Sequence, residues 1–282
     1  MQNFDIEKIR EFYQHSWSQN YGDTSDKETP EFWNSRAADF AAKAHSDEAR
    51  QESLEFLRRF EWSRDETVLD VAAGPGTFAI PLAGMVKELA VTDFSQAMLD
   101  QLQLQASREG VSNIRQLPGR WLDLQLPGRY DTVLCLNSLG VISADEQRQP
   151  HLARTLQKLA DACARRLIIL IPHADSPLNS EMRQILRLDA VPLERMRVGV
   201  LYFAMVDCGM LPDLYIVKRP FRWTFTSFEE ARQTLLKKAG VKAEDCKSAE
   251  FDAYLNSAIQ KDASGHLTLA YQVSQALYVW TR

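Results

Sequence analysis

The stretch VLDVAAGPGTFAI, Val68 to Ile80, constrains this chain more than any other. Its first half is apolar and β-branched except for one aspartate, Asp70, and reads as a strand buried on both faces. Its second half, Ala72-Ala73-Gly74-Pro75-Gly76, nearly abolishes side chains before the apolar run resumes. A strand that ends in such a turn and leads into a helix offers backbone to a ligand. Glycine tolerates left-handed dihedrals and close approach, Pro75 stiffens the turn, and free N–H groups are expected where the helix starts.

Short apolar strands then alternate with helices. Strands are predicted at 67–72, 88–93, 130–136 and 166–172, with helices at 95–109 and 149–163 among the connections. Strands rich in Val, Ile and Leu, joined by crossover helices, imply a parallel sheet covered on both faces. In open α/β sheets the ligand lies at the carboxyl ends of the strands, where this turn falls. Residues 176–212 read as mostly helical and interrupt the alternation. LYIVKRPFRWTF then reads as a strand, and TSFEEARQTLLKKAG as a helix with a capping signature at Thr226, Ser227 and Glu229 or Glu230. HLTLAYQVSQALYVWTR closes the chain in a strand.

Ahead of the α/β part, residues 1–60 read as helices rich in aromatics, among them Tyr13, Trp17 and Tyr21. Thr29 is placed to cap a helix with Pro30 at its first position, and Phe32, Trp33, Arg36 and Phe40 are expected on one face. The organisation expected is one α/β domain over 61–282, preceded by a helical cap over 1–60 and interrupted by a helical insertion over 176–212.

Composition bounds the partners. A formal net charge of −5 draws nothing towards phosphate backbones, so no nucleic-acid partner is expected. No apolar run is long enough for a bilayer and the N-terminus lacks an apolar secretion core, so no membrane association is expected either. The four cysteines, Cys135, Cys163, Cys208 and Cys246, are widely spaced and read as free thiols rather than disulfides or a metal site, which points to the cytoplasm. Nothing here bears on the oligomeric state.

Two ligand classes suit the glycine turn. Gly74-x-Gly76-x-x-Ala79 meets the loose dinucleotide pattern, and Asp93 ends the next strand 17 residues after Gly76, near a ribose-binding spacing. S-adenosylmethionine has the ribose and adenine but no diphosphate; it carries a sulfonium, an ammonium and a carboxylate. Asp70 favours the second ligand, because a carboxylate there would attract an ammonium and repel a diphosphate.

VLDVAAGPGTF followed by VTDFSQAML resembles the first two motifs of the class I S-adenosylmethionine-dependent methyltransferases. The family's first motif runs apolar, apolar, Asp/Glu, apolar, Gly-x-Gly-x-Gly. On it Asp70 takes the acidic position, Ala72 the first glycine, and Gly74 and Gly76 the others. The family's Asp-x-Ser-x-x-Met-Leu is matched by Asp93-Phe94-Ser95-Gln96-Ala97-Met98-Leu99. The resemblance implies that Asp93 takes the ribose hydroxyls and that Phe94 and Met98 flank adenine. LPGRWLDLQLPGRYDTVLC resembles the family's Gly-Asp-x segment, with one departure. Arg120 stands where many members carry an aspartate that accepts from the adenine amino group, leaving backbone near Trp121, or Asp123, to replace it. The resemblance spans about 68–140. It implies a Rossmann-like, doubly wound, mostly parallel seven-stranded sheet, S-adenosyl-L-methionine as cofactor and S-adenosyl-L-homocysteine as product.

The acceptor should meet the cofactor near the ends of the fourth and fifth strands. The fourth delivers Leu136 and Asn137, and the fifth delivers His173, a candidate general base. Asn137-Ser138-Leu139-Gly140 lacks the Asn/Asp-Pro-Pro-Tyr/Phe of amino-group methyltransferases that act on nucleic-acid bases or glutamine. FWNSRAADF resembles a helix that folds over the cofactor in many small-molecule members, with Arg36 expected on the methionine carboxylate and Trp33 or Tyr21 beside the sulfonium. In the insertion, Tyr202, Phe203 and Met205 would wall an internal pocket, which favours a small-molecule methyl acceptor. The rival readings are a methyltransferase acting on RNA or protein, a dinucleotide-dependent oxidoreductase, and a non-catalytic cofactor-binding module.

Overall fold

The computed structural model describes residues 7–8, 10–13, 17, 29–147, 149–174, 178, 180–188, 193–242, 244, 246, 248–262 and 265–282. The chain forms two compact units. The first comprises 1–171, 199–215 and 277–282; the second comprises 172–198 and 216–276.

In the first unit residues 7–8, 10–13 and 17 are helical, and three short helices follow, α1 (Pro30–Asn34), α2 (Ala37–Ala44) and α3 (Asp47–Leu57). Thr29 caps α1 as expected, its hydroxyl accepting from the Phe32 N–H at 3.2 Å with Pro30 at the first position. The single helix face expected across 32–40 is interrupted at Ser35 and Arg36, and two helices share it instead. The alternating part follows: β1 (Thr67–Val71), α4 (Ala79–Ala83), β2 (Glu88–Asp93), α5 (Gln96–Arg108), β3 (Ile114–Pro118), β4 (Tyr130–Leu136), α6 (Leu139–Ile142), α7 (Leu152–Ala162) and β5 (Cys163–Ala174).

β1 pairs in parallel with β2 and β4, β2 with β3, and β4 with β5, giving the order β3-β2-β1-β4-β5. Val68, Leu69 and Val71 of β1, Leu89 to Val91 of β2 and Val133 to Cys135 of β4 are all fully buried. Unbroken apolar runs of this kind are what a doubly covered parallel sheet needs. The strand order reverses between β1 and β4, so the crevice for a ligand opens at the carboxyl end of β1. β3, the strand the sequence pattern did not announce, is a half-exposed edge in which Arg115 and Gln116 dilute the apolar signal.

Three further helices, α8 (Ser180–Ile185), α9 (Leu193–Asp207) and α10 (Phe228–Ala239), fall between β5 and the end of the chain, with α11 (Ser248–Ala258) and the strands β6 (Asp213–Phe225), β7 (Ile259–Lys261) and β8 (Leu267–Thr281). Seven strands lie along the hydrogen-bonded path and β7 pairs antiparallel with β8 beside it, making eight in all. In the first unit Arg10 donates to both carboxylate oxygens of Asp207 (2.9 and 2.8 Å) and the Tyr13 hydroxyl donates to the same group (2.8 Å), which ties the start of the chain to the end of α9. Tyr13 and Trp17 are core residues. In the second unit Met182, Phe225, Leu235, Phe251 and Leu255 share one core. Ser227 caps α10 by accepting from the Glu230 N–H, and the Glu230 carboxylate accepts from Thr226 in return. No helix among the described residues is long and apolar enough to cross a membrane.

Candidate cofactor site

Asp70 is the most informative side chain in the first unit. It occupies the fourth of five positions in β1, paired across to Val91 and Leu134, and is only 3% exposed. Its carboxylate accepts no hydrogen bond and meets no cation among the described residues. Burial, and next the negative charge of Asp93, push its pKa up to about 7. A buried carboxylate without partners is costly unless something cationic arrives to pair with it.

The turn after β1 is fixed by β2. Asp93 is 6% exposed and accepts from the Gly74 N–H through one oxygen and from the Ser95 N–H through the other, both at 2.9 Å. Burial raises its pKa more than these backbone donors lower it. Thr92 accepts from Ala72 N–H with its hydroxyl (3.3 Å) and from Ala73 N–H with its carbonyl (2.9 Å), while Gly76 N–H donates to Ala73 (3.1 Å). Pro75 has no N–H, and those of Ala72, Ala73, Gly74 and Gly76 already have acceptors, so the stretch ahead of α4 is tied to β2 and to itself.

Ala72 and Gly74 both take left-handed dihedrals (φ 58° and 56°), but the two glycines serve different ends. A Cβ added at Gly74 would meet nothing within 4 Å, which leaves open space above the backbone. One added at Gly76 (φ 92°) would lie 2.9 Å from Leu102 Cγ and 3.0 Å from Ile80, so Gly76 lets α4 and α5 close on the turn.

Beside the turn an open cleft is lined by Ala72, Thr92, Asp93, Phe94, Gly119, Arg120, Trp121, Val141 and Ile142. Phe94 offers a flat apolar face with the Arg120 guanidinium 5.2 Å above it. Trp121 is 2% exposed, and its buried Nε1–H has no acceptor among the described residues. Aromatic and aliphatic walls, a buried carboxylate awaiting a cation and a donor awaiting an acceptor fit the adenosine, ammonium and carboxylate of S-adenosylmethionine.

Of the expected residues, Ala72, Asp93, Phe94 and Trp121 line this cleft; Asp70 lies in β1 and Gly74 in the turn after it, its N–H on Asp93. Met98 is 2% exposed on the buried side of α5 and is not part of the cleft wall. Leu136 is buried at the end of β4, and Asn137 is exposed in a left-handed conformation (φ 59°), its N–H bonded to Leu170. Arg36 is exposed, with its guanidinium 4.4 Å from the centre of the Phe32 ring, and Trp33 packs edge-on against Phe32 and Phe40. Tyr21 and the His173 side chain lie outside the described residues. Met205 is fully buried while Phe203 is 55% exposed.

Two neighbours of the site had no signal in the sequence. Asn34, the last residue of α1, accepts at Oδ1 from the Ser95 hydroxyl (2.7 Å) and the Ala97 N–H (3.3 Å). His45 donates from Nε2 to the Pro75 carbonyl oxygen (2.8 Å). The N-terminal helices thus hold both motif loops. Val141 and Ile142 were also unforeseen, because they are ordinary aliphatics whose role depends on α6 following β4 directly.

Residues 68–162 match a family model described as a methyltransferase domain. An uncharacterized protein of Haemophilus influenzae is 30% identical over 107 residues, covering 37% of this chain and 40% of its own length. The chain thus spans less than half of that curated relative. Among solved structures, a chain from the complex of the Haloferax volcanii Trm112 methyltransferase activator with a candidate methyltransferase aligns at TM-score 0.51 and 14% identity, covering 88% of this chain and 96% of its own. A Bacillus halodurans C-125 protein assigned as a methyltransferase aligns at TM-score 0.50 and 14% identity, covering 82% and 98%. At these identities the two structures speak to the shared fold.

Proposed function

We propose that residues 68–162, which match a methyltransferase-domain model, form a class I S-adenosylmethionine-dependent methyltransferase domain, and that the chain transfers a methyl group from S-adenosylmethionine to a small-molecule acceptor in the cytoplasm. The observation that carries this reading is Asp70, a buried carboxylate near the end of β1 that has no partner among the described residues. Bound there, the cofactor supplies a methyl group on a sulfonium, open to in-line attack by the acceptor.

The chain's own residues would bind and orient. Asp70 takes the ammonium and gives up its proton as it does so. Asp93 spends one lone pair of each oxygen on Gly74 and Ser95 and keeps its remaining pairs for the ribose hydroxyls. Phe94, Val141 and Ile142 sandwich the base. Holding an acceptor in line accounts for much of the rate in such a displacement. His173 is proposed as the base for an acceptor that must lose a proton, in which case His173→Ala lowers turnover and leaves cofactor affinity unchanged. A small acceptor is favoured by the net charge of −5 and by Asn137-Ser138-Leu139 standing where base-modifying relatives carry Asn-Pro-Pro.

The experiment is calorimetric titration of the full chain with S-adenosylhomocysteine and, separately, with NADH. Micromolar binding of the first alone is expected, followed by screening of metabolite acceptors with labelled methyl donor. Binding of NADH alone would overturn the reading.

A further inference from the structure

We propose that His45 is a positioning residue for the cofactor: its imidazole fixes the apex of the glycine turn, and with it the surface that meets the amino-acid end of S-adenosylmethionine. The inference rests on the cofactor reading above and deepens it. His45 follows the last turn of α2, where its backbone N–H still donates to the Ala41 carbonyl (3.0 Å). Its side chain spans 30 positions of sequence to place Nε2 2.8 Å from the Pro75 carbonyl oxygen. A carbonyl can only accept, so Nε2 carries the proton and Nδ1 is the acceptor of the neutral ring.

Pro75 is where the turn is hardest to hold. The limb ahead of it is tied to β2, with the Ala72 and Ala73 N–H groups on Thr92 and that of Gly74 on Asp93. Pro75 is buried and has no N–H, so its carbonyl is the backbone group left to anchor the apex. Glycine stands on both sides of it, and Gly74 and Gly76 both take positive φ (56° and 92°), where the backbone has most freedom. The peptide unit joining Pro75 to Gly76 is held at both ends: its N–H donates to the Ala73 carbonyl (3.1 Å), and its own carbonyl accepts from His45 (2.8 Å). Without the imidazole the unit is held at one end only.

The turn continues β1 directly from Asp70 and Val71, and Gly74 leaves open space above its backbone. A shift of the apex therefore alters the surface next along the chain from the carboxylate that would take the ammonium. The aromatic and aliphatic cleft residues stand on other segments: Phe94 follows β2, Trp121 follows β3, and Val141 and Ile142 belong to α6. His45 should accordingly matter to the amino-acid end of the ligand and leave the adenosine end alone.

The test is calorimetry on the full chain with S-adenosylhomocysteine and with 5′-methylthioadenosine, which keeps the adenosine and lacks the amino-acid end. His45→Ala is expected to weaken S-adenosylhomocysteine by about tenfold, as loss of a hydrogen bond to a buried group does. The same variant should weaken 5′-methylthioadenosine by less than about twofold. His45→Gln, whose side-chain amide can supply an N–H in place of Nε2, should bring S-adenosylhomocysteine back to within about threefold of the native protein. Equal weakening of the two ligands by His45→Ala, an unchanged affinity for S-adenosylhomocysteine, or a glutamine variant as weak as the alanine one overturns the inference and leaves the cofactor reading standing. Failure of the native protein to bind S-adenosylhomocysteine overturns the cofactor reading, and this inference with it.

Discussion

Asp70 makes the site's pH dependence calculable. Its folded pKa stands near 7, against an ordinary carboxylate value near 4 in the unfolded chain. The folded protein therefore holds a proton that the unfolded chain releases, and the stability this confers is lost as pH rises from about 4 towards 7. Ligand binding runs the other way, because an ammonium pairs only with the ionised form. The affinity for S-adenosylhomocysteine should rise by up to about tenfold per pH unit below 7 and level off above it. Asp70→Asn should bind about tenfold or more weakly at pH 8, with a flat profile. A native profile flat from pH 5.5 to 8 would detach Asp70 from the ammonium. The glycines separate binding from folding at the same scale. Gly74→Ala meets open space but must hold φ 56°, so it should cost cofactor affinity together with about 1 kcal/mol of stability. Gly76→Ala must hold a positive φ and also drives a methyl into Leu102 and Ile80, and should destabilise the fold by about 1–3 kcal/mol more than that. Equal losses of stability in the two would refute this division of roles. Asp70 was legible in the sequence because one carboxylate in an apolar strand stands out. That Gly76 packs against α5 was not, since the contact needs Leu102 to arrive from 26 residues on.

Elements were legible where local pattern and burial agree. β1, β2 and β4 are continuous apolar runs and fall within a residue of their expected limits. The start of α5 is written twice, by Ser95 as cap and by the motif that contains it. β3 was not legible because an edge strand needs only one apolar face, and the break between α1 and α2 was not because Ser35 and Arg36 carry no stop signal. Nor did any local rule mark Asn34, which completes the cap of another helix. Ser95 accepts from Met98 N–H within α5, and Asn34 reaches across to accept from the Ser95 hydroxyl and Ala97 N–H. The loop Asp93-Phe94-Ser95 is thereby gripped from the N-terminal layer. Asn34→Ala should lower stability by about 1 kcal/mol, as loss of a cap does, and weaken S-adenosylhomocysteine severalfold. Asn34→Asp keeps the acceptor and adds a charge that the helix N-terminus favours, so it should restore both. Weak binding in the aspartate variant despite recovered stability would remove Asn34 from the positioning of this loop.

At the scale of the whole molecule, the division into two units had no counterpart in the sequence. All four breaks fall inside regular elements, within β5, α9, β6 and β8. Domain boundaries usually show as polar, Pro- or Gly-rich linkers, and here there is no linker to read. What joins distant parts of the first unit is equally invisible in local pattern: Arg10 and Tyr13 meet Asp207 across nearly 200 positions. The Arg10 guanidinium holds the Asp207 carboxyl below its ordinary range; burial opposes it, and the Tyr13 hydroxyl adds a lesser lowering effect. With the folded pKa depressed, the stability gained is present above the unfolded value near 4 and is lost as pH falls through the folded one. Asp207→Asn should therefore lower the melting temperature by a few degrees at pH 7, and the gap to the native protein should close on acidification to pH 3. The same variant should make the chain ahead of α1 more susceptible to trypsin at neutral pH, since Arg10 then loses its charged partner. The fold beyond residue 60 should stay intact, because the recorded partners of the Asp207 carboxylate are Arg10 and Tyr13, both ahead of α1. A gap in melting temperature that stays constant from pH 7 to pH 3 would mean that Asp207 acts through packing, and that its charge does not hold the N-terminal segment in place.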